Sequence, residues 1–191
     1  LVAIVGAPWL ATSAHARDRG PAYELDLELD LSLGLVGAGA ASGFLFLDDA
    51  GRGPACAPVC PKSQVNAFDR PAAGLYDEGW ASVGDIGVFT TMAFTPLVIF
   101  LDEGLSNGLN DNVVVVEAAL ISAALQVSLS YAIERPRPRV YSDEAPLSER
   151  NDANAARSFY SGHVAETMAV TVAGMRTFQR LGKPATAWAV L

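Results

Sequence analysis

Three long apolar segments restrict this chain more than any other feature of its sequence. They cover residues 86–101, 113–133 and 164–178, and each approaches the roughly 20 residues that cross a bilayer. The composition agrees, because 51% of the residues are hydrophobic and 18% are charged, against about 25% charged residues in soluble domains. We therefore predict an all-α fold, a helical bundle of the multi-pass membrane type. A soluble exported helical bundle is the alternative.

Shorter patterns fill the rest of the chain. Residues 25–31 alternate leucine with acidic residues, which is typical of a strand, but we favour a helix from about Leu31. Val, Phe, Tyr and Trp residues over 65–81 predict a short amphipathic helix at an interface. We expect a kink at Pro96 and a polar turn over 102–112.

The N-terminus resembles a secretory signal peptide. An apolar run is followed by the small residues Ala14 and Ala16 and then by charges, as in an h-region with its cleavage site. We predict a signal peptide remnant over 1–16 and a single domain over 17–191. An ordinary apolar N-terminus is the alternative. The last residues form an apolar run, so we expect the domain to be incomplete at its C-terminus.

Charge and cysteine content limit the partners. The net charge of -8 argues against a nucleic-acid binder, which normally carries a basic face. Cys56 and Cys60 are the two cysteines, and outside the cytoplasm they could form a local disulfide. Free thiols are the alternative. A metal site is disfavoured, since no other cysteine or nearby histidine could complete a zinc shell.

A polar stretch over residues 130–163 separates the second and third apolar segments. Near its start, Arg135, Arg137 and Arg139 alternate with prolines, and proline cannot continue a helix. Arginine binds phosphate through two parallel hydrogen bonds, so this stiff segment is a candidate oxyanion site. A basic patch flanking a membrane is the alternative.

The stretch ends in Ser161, Gly162 and His163, directly before an apolar segment. Serine is a favoured N-cap, and glycine allows a ligand to approach the backbone closely. The free amides of a helix N-terminus bind anions, and a histidine there could act as a general acid. A capping serine beside an interfacial histidine without a catalytic role is the alternative.

Together the two clusters resemble the type 2 phosphatidic acid phosphatase superfamily, which also includes bacterial acid phosphatases and vanadium haloperoxidases. Arg137-Pro138 is similar to the first motif of that family, and Ser161-Gly162-His163 is similar to the second. The resemblance implies that Arg137 binds phosphate, that Ser161 and Gly162 hold its oxygens, and that His163 protonates the leaving group. It also implies a helical bundle and a phosphohistidine intermediate without a metal or other cofactor.

The chain departs from the family pattern at two places. Ser130 stands where the first motif has a lysine, so this phosphate-binding position supplies a hydrogen bond but no charge; Arg135 or Arg139 could compensate. The third motif, which carries the nucleophilic histidine, is absent because no histidine follows His163. We expect that the chain is truncated before this motif and that the fragment itself is inactive.

The sequence thus predicts a phosphoric ester hydrolase in a membrane or the periplasm. Its partners would be a phosphate-bearing lipid or a small phosphate ester, and the membrane, but no nucleic acid. Basic residues over 176–183 would lie inside by the positive-inside rule, which places His163 on the outer side. A vanadate-dependent haloperoxidase and a non-catalytic membrane bundle with a decayed site are the alternatives.

Overall fold

The computed structural model describes residues 20–47 and 53–191, and this part of the chain is all-helical, without strands. The signal peptide predicted over 1–16 lies outside the described residues. The helices are α1 (Leu27–Leu47), α2 (Glu78–Ile133), α3 (Leu147–Asn151), α4 (Gly162–Arg180) and α5 (Pro184–Ala189). Short 3-10 turns occupy Lys62–Gln64, Pro138–Tyr141 and Ala153–Ala156.

Helix α2 is a hairpin of two arms, 78–103 and 105–133, that reverses at Gly104. This glycine has φ 76° and ψ −176°, a conformation that L side chains rarely adopt. The arms are antiparallel, because the Asn112 side-chain amide donates to the carbonyl of Pro96 across 3.2 Å. Pro96 lies within a continuous helical segment, and the kink expected there stays a prediction.

The predicted polar turn over 102–112 contracts to Gly104, and its remaining polar residues are helical. Two of them instead bind the segment that leads into α1. The Asp111 carboxylate accepts from the amides of Ala22, at 2.9 Å, and Tyr23, at 3.3 Å. The Asn110 side chain donates to the carbonyl of Tyr23 at 2.7 Å. Long-range hydrogen bonds therefore satisfy polar groups whose sequence pattern is typical of a loop.

Helices α1 and α4 pack against the α2 hairpin. The core between α2 and α4 includes Ile99 and Phe178, both fully buried. Glycine allows the close approach, because a Cβ at Gly174 would lie 2.4 Å from the Thr95 methyl carbon. α1 approaches α2 in the same way at Gly37, as expected from its small residues.

Two helix boundaries differ from the sequence prediction. α1 begins at Leu27 rather than near Leu31, because Asp26 accepts hydrogen bonds from the first amides of the helix at 3.1 Å. The amphipathic helix expected over 65–81 is wrong. Residues before Glu78 form turns, including Gly74 at φ 88°, and α2 starts only after Asp77, which caps the amide of Trp80 at 3.0 Å.

One stretch in the described part of the chain is long and apolar enough to cross a membrane, judged by length and composition. This stretch, Glu78–Tyr141, contains α2, and its most apolar window has a mean hydropathy of 1.9. Only 17% of that window is buried inside the protein, so many of its apolar side chains face outward. Phe89, Leu101 and Leu105 are each more than 70% exposed.

Candidate functional site

The arginine–proline segment, residues 135–139, follows the end of α2 and forms a strap. α2 ends at Ile133, and Glu134 adopts a left-handed conformation with φ 48°, so the chain changes direction before the first arginine. The strap pairs with the segment that leads to α4. The amide of Arg137 donates to the carbonyl of Ala155 at 2.7 Å, and the amide of Ser158 donates to the carbonyl of Arg135 at 2.9 Å. These bonds hold the two predicted clusters side by side.

The three arginines of the strap have different partners. Arg135 forms an ion pair with Asp69 at 2.6 Å. The hydrogen bond from Asn66, and with smaller weight that from Arg135, holds the pKa of the Asp69 carboxyl below its ordinary value, so this partner stays ionised at neutral pH. Arg139 contacts Glu149 at 3.8 Å. Arg137 donates from Nη2 to the side-chain oxygen of Asn154 at 2.7 Å.

The second cluster forms the N-terminus of α4. Ser161 is the N-cap, as predicted, and its hydroxyl accepts from the amide of Val164 at 3.4 Å. The amides of Gly162 and His163 lie in the first turn, where helical amides have no partner within the helix. Folding does not require glycine at 162, since a Cβ there would lie 3.5 Å from Gln126, an ordinary contact. The free side of Gly162 opens onto the cleft described next.

An open cleft of about 620 Å³ brings most of the predicted site residues together. Arg137, Ser161, Gly162 and His163 all line it. Its remaining walls come from both arms of α2, the strap and the first turns of α4: Asp85, Val88, Phe89, Gln126, Arg135, Pro138, Ser158 and Glu166. The cleft therefore combines a cation, a helix N-terminus and an imidazole, as binding and protonation of an oxyanion would require.

His163 has a carboxylate partner that the sequence did not indicate. Its Nε2 lies 2.6 Å from Oδ1 of Asp85 on the first arm of α2. Both side chains are more than half exposed, at 53% and 59%, so the imidazole remains accessible from the cleft. A carboxylate in this position orients the ring.

Ser130 does not line the cleft. It is 4% exposed, and its hydroxyl donates to the carbonyl of Val127 at 2.8 Å. It lines a neighbouring cavity of about 310 Å³, which shares Arg137, Gly162 and Glu166 with the cleft. The structure thus places Ser130 behind the predicted phosphate position, with its hydrogen bond directed to its own helix.

Sequence reasoning missed three polar residues around these two spaces. Glu166 lines both, and its Oε1 is buried without a hydrogen-bond partner in the described part of the chain. Its spacing of three residues from His163, nearly one helical turn, could have indicated it. Asp85 carries no local signal, because it meets His163 over a separation of 78 residues. Arg157 lies four residues before Ser161, within the polar stretch, so its place in the sequence could have indicated it.

The predicted disulfide is present and supports the strap. Cys56 and Cys60 are bonded, and Cys60 is buried in a small core with Val140 and Ala155. The amide of Cys60 donates to the carbonyl of Val140 at 3.3 Å. The loop that the disulfide closes is therefore packed directly behind the arginine–proline segment.

Replacing both Cys56 and Cys60 with serine is expected to lower the free energy of unfolding by about 2 kcal/mol, the chain-entropy value for so short a loop. Affinity for orthovanadate, a tetrahedral oxyanion, should fall as well, because the strap loses the loop that packs behind it. Urea unfolding and titration calorimetry measure the two effects. Val59→Ala, a change at an exposed position of the same loop, is the control; equal stability of the double variant and this control would contradict the expectation.

Within residues 20–47 and 53–191, no group of three or more His, Cys, Asp or Glu residues could hold a metal ion. The cleft itself offers side chains and backbone amides as binding groups. Fold and cleft together define an all-helical protein in which an arginine, a helix N-terminus and a histidine converge on one open space.

Comparison with known protein families relates part of this chain to one of them. Residues 112–191 match the family model of the PAP2 superfamily, which confirms the predicted resemblance over this part of the chain. The match includes the strap, α4 and every predicted site residue. None of the curated proteins and none of the solved structures gives a significant match. The match points to a phosphatase-type activity on phosphate esters or lipid phosphates.

Proposed function

We propose that this chain forms the phosphate-binding and proton-donating part of a phosphatase that hydrolyses a phosphomonoester or a lipid phosphate or pyrophosphate. The observation that carries the proposal is the convergence of Arg137, the α4 N-terminus and His163 on one cleft. Arg137 would bind two phosphate oxygens. The amides beside Ser161 and Gly162 would bind a third, where the positive end of the helix dipole also favours an anion.

The proposed reaction proceeds in two steps through a phosphohistidine. A histidine nitrogen attacks phosphorus, a P–N bond forms, and the P–O bond to the leaving group breaks while His163 gives that oxygen a proton. Water then attacks phosphorus while His163 takes a proton from it, a P–O bond forms, the P–N bond breaks, and inorganic phosphate leaves. His163 serves as the acid in this scheme and therefore cannot also be the nucleophile. The attacking histidine is thus not one of the residues that line the described cleft.

We also propose that the protein lies in a membrane with the cleft on the outer side. Exposed apolar side chains along α2 support a lipid environment. The disulfide packs behind the strap, and disulfides persist in oxidising compartments, which supports an outer location for the same face. Arg176, Arg180 and Lys183 lie toward the opposite end of α4 from His163, in agreement with a cytoplasmic position for the basic end.

Phosphate release tests the proposal. Two forms of the protein are assayed: the 191-residue chain, and that chain extended by any sequence that its gene encodes past Leu191. The substrates are p-nitrophenyl phosphate and micellar phosphatidic acid. We expect release of inorganic phosphate, inhibition by orthovanadate and no effect of a metal chelator. Halide oxidation with vanadate and peroxide in place of phosphate release would contradict the proposal, as would failure of every form to release phosphate or bind vanadate.

A further inference from the structure

The cavity behind the cleft is lined by an arginine that belongs to neither the strap nor α4. Arg157, in the segment that leads to α4, lines this cavity together with Ser130 and Arg137. Its guanidinium carbon lies 3.9 Å from the centroid of the Tyr131 ring, a cation–π distance that fixes the side chain over the second arm of α2. The charge is thus held next to the position that Ser130 leaves neutral.

A phosphate group in the cleft needs more than one cation. A phosphate ester carries between one and two negative charges near neutral pH, and Arg137 supplies one positive charge. Glu166 adds a carboxyl to the same space. Of the two arginines suggested from the sequence as substitutes, Arg139 lines neither the cleft nor the cavity behind it, and Arg135 lines the cleft but not the cavity that contains Ser130.

We infer that Arg157 is a second phosphate-binding cation, which supplies the charge that is missing at Ser130. The cavity of Arg157 and the cleft of His163 share Arg137 and Gly162, so an anion that contacts these two residues adjoins the cavity that Arg157 lines. The inference rests on the proposed function, because it names a further binding residue of the same phosphate site. It also explains how this chain can bind phosphate although its first motif lacks the lysine.

Titration calorimetry with orthovanadate, a tetrahedral oxyanion shaped like phosphate, tests the inference. Arg157→Met is expected to weaken vanadate binding about 10- to 100-fold, the loss of one charge-assisted hydrogen bond. Added salt should weaken vanadate binding by this variant less than it weakens binding by the wild type, because the variant lacks one of the charges that salt screens. Arg157→Lys should retain part of the affinity. Ser130→Lys combined with Arg157→Met should regain affinity, because it returns a charge to the same cavity.

Arg180→Met is the matched control. Arg180 also stacks on a tyrosine, with its guanidinium carbon 4.6 Å from the ring centroid of Tyr23, but it lies away from the cleft and should leave vanadate affinity unchanged. Unaltered affinity of Arg157→Met would overturn the inference. Equal losses of vanadate affinity in Arg157→Met and Arg180→Met would also overturn it. So would a loss that is no smaller in Arg157→Lys or in the double variant Ser130→Lys with Arg157→Met. Absence of vanadate binding by the wild-type protein would instead remove the proposed phosphate site itself.

Discussion

Replacing His163 with alanine is expected to slow release of phosphate from an alkyl phosphate by roughly 100- to 10,000-fold, the usual contribution of a general acid. The alkoxide leaving group depends on a proton that only an acid within reach can supply. The loss should be much smaller for p-nitrophenyl phosphate, whose leaving group departs as a stable anion. Comparing kcat for the two substrates therefore separates lost proton donation from a disturbed site.

Asp85→Asn is the companion variant for this experiment. It retains a hydrogen-bond acceptor for the ring at the 2.6 Å contact but removes the negative charge beside the imidazole. We expect a loss smaller than that of His163→Ala and with the same dependence on the leaving group. An unchanged rate in His163→Ala would refute the acid role. An equal loss for both substrates would assign His163 to binding instead.

Arg137→Met is expected to produce the second large effect, a loss of orthovanadate affinity of roughly 100-fold. Removing one partner of a buried, hydrogen-bonded charge pair costs about 2–5 kcal/mol, and methionine cannot replace the two parallel hydrogen bonds of a guanidinium. Arg137→Lys should recover only part of the loss, because an ammonium group is a point charge without that geometry. Calorimetry on the folded variants measures both changes.

Arg139→Met is the control for Arg137→Met. It removes an arginine from the same strap, but one that contacts Glu149 and does not line the cleft. Its vanadate affinity should stay close to that of the wild type. If the two methionine variants lost affinity equally, the effect would come from the strap as a whole, and the role proposed for Arg137 would be contradicted.

Local chemistry made the end of α2 and the start of α4 predictable. Proline spacing indicated where α2 stops, and Ser161 was identifiable as an N-cap before α4. The all-helical fold and the family resemblance are confirmed. A multi-pass arrangement, the signal peptide and the role of each site residue remain predictions.

Long-range contacts account for what the sequence did not reveal. The pattern over 102–112 is typical of a loop, yet Asn110 and Asp111 are helical because they bind the backbone of residues 22 and 23. Asp85 meets His163 over a separation of 78 residues. No spacing rule along the chain can anticipate such a pair, since it depends on the hairpin at Gly104.

That hairpin also determines when the cleft can exist during folding. Asp85 belongs to the first arm, Gln126 to the second and His163 to α4, so their meeting requires that the turn has closed and that α4 has docked on both arms. Contacts between residues so distant in sequence incur loop-closure entropy before they contribute stability. The cleft is accordingly a late product of folding: an α2 hairpin formed alone would hold Asp85 and Gln126 close together but would have no oxyanion site.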